Sequence, residues 1–207
     1  MLERRTYDYQ YDACDPYVYA GTVVLANKLG IRDFNQLWDA ERAITGVAAA
    51  ALEEHPIAGS FDLDHLRSIH RFLFGDIYEW AGNIRENGFI SKGSSLFCAA
   101  EFIPPYSDEL FHKLKAENYL RGLGRERFIE RIAFYIAEVN ALHPFREGNG
   151  RTQRIFANQL ARQAGWELNF KNADPNQLCD AYISSMTDLS DLIALLGETV
   201  TEINASN

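Results

Sequence analysis

The sequence predicts an all-α domain carrying one small β-hairpin flap. Three observations predict it. Apolar residues recur every three or four positions through most of the chain, and Gly, Pro and polar clusters cut that pattern into helix-sized lengths. One stretch, residues 85–97, carries turn signals instead of helical periodicity.

The elements follow in order. Asp33 followed by Gln36 resembles a capping box, and behind it Leu37, Ile44, Val47, Ala48 and Ala51 fall on one helix face. His55-Pro56 and Gly59 break that helix. Ser60 to Asp64 is a polar start for a second, whose stripe runs Leu66, Ile69, Leu73, Ile77, Trp80. In the flap region, Asn87-Gly88 and Lys92-Gly93 are turn signals flanked by Phe89, Ile90, Leu96 and Phe97. Pro104-Pro105 restricts the chain before a helix marked by Leu110, Phe111 and Leu114. The clearest helix spans Phe128 to Leu142, with Ile129, Ile132, Ala133, Ile136 and Val139 buried. Another runs from about Gly150 to Ala164 and ends at Gly165, a favourable residue just past a helix end. Pro175 suits the first turn of the next helix, and Leu189 to Val200 reads as the last.

The 207 residues suit a single domain, 1–207, with its core at about 15–200 and loosely held tails at roughly 1–12 and 203–207. A hydrophobic fraction of 47% is enough for a sizeable core. No apolar run approaches the ~20 residues of a membrane helix, and no signal-peptide stretch opens the chain. Cys14, Cys98 and Cys179 are far apart and without metal spacing, so they read as free thiols. A cytoplasmic protein is expected, with export as an effector the alternative. The net charge of −9, with Lys and Arg scattered among acids, argues against nucleic acid as a partner.

Residues 143–154 read His-Pro-Phe-Arg-Glu-Gly-Asn-Gly-Arg-Thr-Gln-Arg. The proline pushes its predecessor out of helical geometry, so the helix stops near Leu142 and His143 sits at its C-terminal end. That end favours a protonated imidazole, which makes His143 a candidate proton acceptor. Gly148-Asn149-Gly150 forms a tight loop opening the next helix, whose free N–H groups make an anion site. Arg151 and Arg154 share a face of that helix and can flank one phosphate chain. Glu147 supplies a hard oxygen ligand suited to Mg²⁺. Base, anion cradle, metal ligand and two arginines are parts for nucleotidyl or phosphoryl transfer.

The segment resembles the Fic-family pattern His-x-Phe-x-(Asp/Glu)-Gly-Asn-Gly-Arg-x-x-Arg at every specified position. Asp15-Pro16-Tyr17, Phe61 through Phe74-Gly75-Asp76 to Glu79-Trp80-Ala81-Gly82, and Asn140-Ala141-Leu142 extend the resemblance to about residues 15–200. It implies a Fic-type helical domain with the flap over its active site, and transfer of AMP from ATP to a Ser, Thr or Tyr hydroxyl of a target protein. His143 would then deprotonate that hydroxyl, and Glu147 would hold Mg²⁺ between the α- and β-phosphates. The Gly148, Asn149 and Gly150 amides would form the anion hole, with the Asn149 side chain steadying the phosphates. Arg151 would bind the β-phosphate and Arg154 the γ-phosphate, Phe145 would anchor the loop, and the flap at about 85–97 would dock the target by main-chain pairing.

Other readings stand beside this one. A Doc-like kinase is the first, although that branch has lysine where Arg151 stands; a silent nucleotide-binding module is the second. Taken singly, His143 could be a helix cap, Asn149 an N-cap and the arginines a solvated face. His65 and His70 read as packed or exposed without chemistry, and Asn158 and Gln159 as core or surface, with adenine contact the alternative. Tyr7, Tyr9 and Tyr11 read as core edges, with automodification the alternative. No Ser or Thr is followed four residues later by Glu, so the Ser/Thr-x-x-x-Glu inhibitory pattern of many Fic proteins is missing. The resemblance then implies a toxin held by a separate small antitoxin, whose glutamate faces Arg154.

Overall fold

The computed structural model describes residues 9–11, 15–86, 88–92 and 95–203. Cys14, Tyr7, Asn87 and Gly93 lie outside the described residues. Among those described are seven α-helices: α1 Phe34–Glu54, α2 Leu63–Phe74, α3 Ile103–Ala116, α4 Arg125–Leu142, α5 Asn149–Gln163, α6 Pro175–Ser184 and α7 Ser190–Thr199. The all-α expectation holds, and the boundaries follow from local chemistry. The Asp33 carboxylate caps α1 by accepting from the Gln36 N–H at 2.9 Å, and Asp62 caps α2 by accepting from the His65 N–H at 2.8 Å. Asp174 caps α6 with Pro175 in its first turn. Pro104 and Pro105 lie in the first turn of α3 itself, where the missing N–H groups cost nothing.

Two expected stripes are corrected. Helix α2 ends at Phe74, so Ile77 is buried from the following turn and not from the helix. On α1, Val47 is 75% exposed and Ala51 is exposed, while Leu37, Glu41, Thr45 and Leu52 are buried. The buried face of α1 is therefore partly polar: Leu37, Ile44 and Ala48 of the expected stripe do pack on the core, Val47 and Ala51 do not, and Glu41 and Thr45 turn inward beside them. It faces α2 and α5.

Helix α5 is the centre of the fold, packed on α2, α4 and the strand that follows it. Its apolar contacts include Phe156, Ala157, Leu160 and Ala161, all nearly inaccessible. Two small antiparallel sheets complete the chain. The flap expected as a hairpin is three-stranded: β1 Tyr9–Tyr11, β2 Ile90–Lys92 and β3 Ser95–Leu96, with β2 in the middle. Tyr11 pairs with Ile90 and Ser91 with Leu96, so a segment expected as a loose tail is tied to the flap. The second sheet, β4 Trp166–Leu168 with β5 Val200–Glu202, has no counterpart in the sequence reading. Gly165, at φ +91, turns the chain from α5 into β4, and β5 continues directly from α7. Pairing these strands ties the end of α7 to the strand that packs on α5, while α7 itself packs on α4 and α6, and Trp166 stacks on Phe128 of α4 at 5.3 Å.

Candidate active site

The bend between α4 and α5 is built from both sides. His143 ends α4 in a left-handed conformation (φ 42, ψ 58), which a non-glycine residue holds only when its surroundings enforce it. The enforcing group is Arg85, 2% exposed, whose Nε donates to the His143 carbonyl at 2.9 Å while its backbone N–H donates to the Pro144 carbonyl at 2.9 Å. Its guanidinium also donates to the Cys98 carbonyl, so one side chain ties the flap root to the bend. Phe145, 1% exposed, stacks on His70 at 3.9 Å, the anchor the resemblance implied.

The loop closes on itself through Asn149. Its Oδ1 accepts from the Phe145 N–H at 2.9 Å and its Nδ2 donates to the Phe145 carbonyl at 2.7 Å. Each end of this buried amide thus makes one bond inside the loop. The geometry gives the Asn149 side chain the task of shaping the cradle. Gly148 has φ +81, and a Cβ there would come within 2.3 Å of the Phe74 ring. Behind the loop, the Gly82 N–H donates to His70 Nδ1 at 2.8 Å, which leaves Nε2 protonated and donating to the Glu147 carbonyl at 2.9 Å. Burial lowers the pKa of His70 to about 3, so it is a neutral buckle; read from sequence as doing no chemistry, it fastens the loop between α4 and α5.

His143, Gly150, Arg151 and Arg154 line one cavity of about 600 Å³. The imidazole is 5% exposed and lies under Phe97 of the flap, ring to ring at 3.7 Å. Its Nδ1 faces the Asn140 carbonyl at 3.3 Å; a carbonyl only accepts, so Nδ1 carries the proton and Nε2 is the basic nitrogen. Arg151 donates to Glu41 Oε1 at 2.5 Å and to Thr45 Oγ1 at 3.2 Å, and lies over the Phe74 ring at 4.7 Å. Burial lowers its pKa, but Glu41 and Glu147 outweigh burial and hold it raised. Arg154 differs. Burial and the Arg151 charge pull its pKa down, and among the described residues it has no hydrogen-bond or ion-pair partner. Glu147 is outside the cavity lining; its carboxylate accepts from the Gly148 N–H at 2.8 Å and lies 3.5 Å from Arg151.

The far half of the cavity is lined by α1, α5, α6 and the β4 region, and includes Asn158, Gln159 and Tyr182. Asn158 Oδ1 accepts from the Leu168 N–H at 3.0 Å, which holds β4 to α5. Burial raises the Tyr182 hydroxyl to about 12, partly offset by Arg154. Sequence reasoning missed Glu41, Thr45, His70, Arg85 and Tyr182 as parts of the site. Only Glu41 left a trace: it is a charge on the face between Leu37 and Thr45, at helical spacing from both.

A family model described as the Fic/DOC family matches residues 60–161, α2 through most of α5. "Probable protein adenylyltransferase Fic" of Escherichia coli K12 is 39% identical over 93% of this chain and 95% of its own length. The chain belongs to the Fic/DOC family. Protein adenylyltransferase VbhT of Bartonella schoenbuchensis is 41% identical over 93% of this Fic chain, which spans 40% of VbhT's length. The N-terminal Fic domain of a VirB-translocated effector from Bartonella quintana, solved with bound ADP, superposes with a TM-score of 0.88 at 28% identity, covering 91% of this chain and 96% of that one. The BepC protein of Bartonella tribocorum, solved with bound AMPPNP, gives 0.85 at 27% identity, covering 90% and 96%.

Proposed function

We propose that this Fic-family protein is a protein adenylyltransferase: it moves AMP from ATP to a side-chain hydroxyl of another protein. The observation that carries the reading is that the basic nitrogen of His143 and the guanidiniums of Arg151 and Arg154 belong to one cavity at the N-terminus of α5. His143 takes the proton as the target oxygen bonds to the α-phosphorus; the bond from that phosphorus to the bridging oxygen breaks, and pyrophosphate leaves. The N–H groups at the start of α5 face the developing charge, and Arg151 and Arg154 hold the leaving pyrophosphate. The names of the relatives and the nucleotides in the two Bartonella structures support ATP as the donor.

Glu147 fits Mg²⁺, which is commonly held by one or two carboxylates together with substrate phosphates. Its carboxylate is partly exposed and next to Arg151. Bound there, Mg²⁺ would offset charge on the phosphate chain. The target would dock along the flap, whose Phe97 covers the imidazole. Arg154, without a carboxylate among the described residues, supports a separate inhibitory protein presenting a glutamate to it, which would make the chain a restrained cytoplasmic toxin. No helix among the described residues is long and apolar enough to cross a membrane.

The test is label transfer. With Mg²⁺ and a bacterial lysate, α-³²P-ATP labels a protein, γ-³²P-ATP does not, and His143→Ala abolishes the label. Label from the γ position alone would replace the proposal with phosphoryl transfer.

A further inference from the structure

We propose that Glu41 is a positioning residue for Arg151: it grips the guanidinium from outside the cavity so that the remaining N–H donors stay presented to the phosphate chain. The inference rests on reading Arg151 as a polyphosphate ligand. Arg151 lines the cavity, whereas Glu41 and Thr45, one turn apart on α1, do not. Both are nearly inaccessible, at 5% and 3% exposed. Glu41 Oε1 takes one N–H of Arg151 and Thr45 Oγ1 takes another, at 2.5 and 3.2 Å. A guanidinium has five N–H donors, so the grip uses a minority of them.

The grip is itself built. The Tyr78 hydroxyl donates to Glu41 Oε2 at 2.5 Å, which fixes the carboxylate's orientation. The Thr45 hydroxyl donates to the Glu41 carbonyl at 2.7 Å, which turns its lone pair toward Arg151. The Phe74 ring supports the guanidinium face at 4.7 Å. Glu41 also settles a competition. Glu147 stands 3.5 Å from the same guanidinium nitrogen. With Glu41 neutral, Glu147 is the nearest remaining counter-charge; Arg151 would turn to it, giving up donors meant for phosphate and occupying the residue that fits the metal.

The experiment is calorimetric titration of ADP and of AMP, in one Mg²⁺ buffer, against the parent, Glu41→Gln, Thr45→Val, Arg151→Ala and the Glu41→Gln/Arg151→Ala double variant. Glu41→Gln should weaken ADP roughly tenfold, the coupling expected within one ion-pair network, and change AMP by less than about twofold. Thr45→Val should weaken ADP in the same direction by less. In the Arg151→Ala background, Glu41→Gln should add nothing. If Arg151→Ala weakens ADP but Glu41→Gln does not, the positioning role is overturned. Equal loss of ADP and AMP in Glu41→Gln overturns it too, in favour of a general structural role. If Glu41→Gln does not fold, Thr45→Val decides, and unchanged ADP affinity counts against the proposal. Arg151→Ala with undiminished ADP affinity instead removes the reading of Arg151 on which it rests.

Discussion

Adding one methyl group at Gly148 should damage both the fold and the nucleotide site, and the structure sets the size of the effect. Gly148 has φ +81, where an L-residue costs about 1–2 kcal/mol. The new Cβ would also lie 2.3 and 2.4 Å from two atoms of the Phe74 ring. Ordinary carbon contacts are about 3.5–4 Å, so the ring or the loop must move by more than an ångström. Phe74 is fully buried, and overpacking of such a site costs about 1–3 kcal/mol. Together Gly148→Ala should lose roughly 2–5 kcal/mol, and at about 2–4 °C per kcal/mol for a chain of this size its melting temperature should fall by at least about 4 °C. Phe74 also supports Arg151 and stacks on His70 at 4.7 Å, so nucleotide affinity should fall as well. The assay is chemical denaturation of Gly148→Ala with and without Phe74→Leu. The smaller side chain should relieve the clash and leave the backbone strain, so the methyl group should cost less in the Phe74→Leu background. A loss under about 0.5 kcal/mol for Gly148→Ala, or an identical loss in both backgrounds, would refute the reasoning.

Two further outcomes follow. His70 is held neutral, with a folded pKa of about 3 against an unfolded value of about 6.5, so the unfolded chain binds the extra proton and stability is lost as pH falls through that window. The contribution is up to about 1.4 kcal/mol per pH unit below 6.5. Burial lowers His65 as well, so His70→Gln should reduce the acid slope of the urea midpoint between pH 7.5 and 5 without abolishing it, and an unchanged slope would count against a neutral buried imidazole. Arg154 sits beside Arg151 without a carboxylate partner among the described residues, so Arg154→Gln should melt higher than the parent in the absence of nucleotide. With Mg-ATP at a hundred times its Kd the parent should gain about 2.7 kcal/mol and the variant much less; a variant that melts lower without ligand would contradict this account of the charge.

Much of the fold was legible because its signals are local. The cap at Asp33, Pro175 in a first turn, the proline after His143 and the glycine after α5 act within a few residues, and each boundary they marked holds to within a turn. The α1 face was only partly read because counting apolar residues assumes an apolar neighbour throughout. Leu37, Ile44 and Ala48 meet the core, but Glu41 and Thr45 turn inward to the Arg151 guanidinium while Val47 stays in solvent. The β4–β5 pairing joins residues some 35 positions apart, and β1 meets β2 across about 80, distances over which no local pattern reports.

The sequence by itself determined which groups meet at the bend. A histidine before proline, a Gly-Asn-Gly helix start and two arginines three residues apart are near neighbours in the chain, so a helix end, a helix start and a shared helix face bring them to one bend. Tertiary structure decided how those groups are held. Arg85 enforces the left-handed His143, His70 fastens the Glu147 carbonyl, Glu41 grips Arg151, and Phe97 covers the imidazole. Each of these partners lies between 46 and 110 residues away in the chain. A buried polar group must find its partner wherever the packing of helices brings one, and that packing is a property of the whole chain.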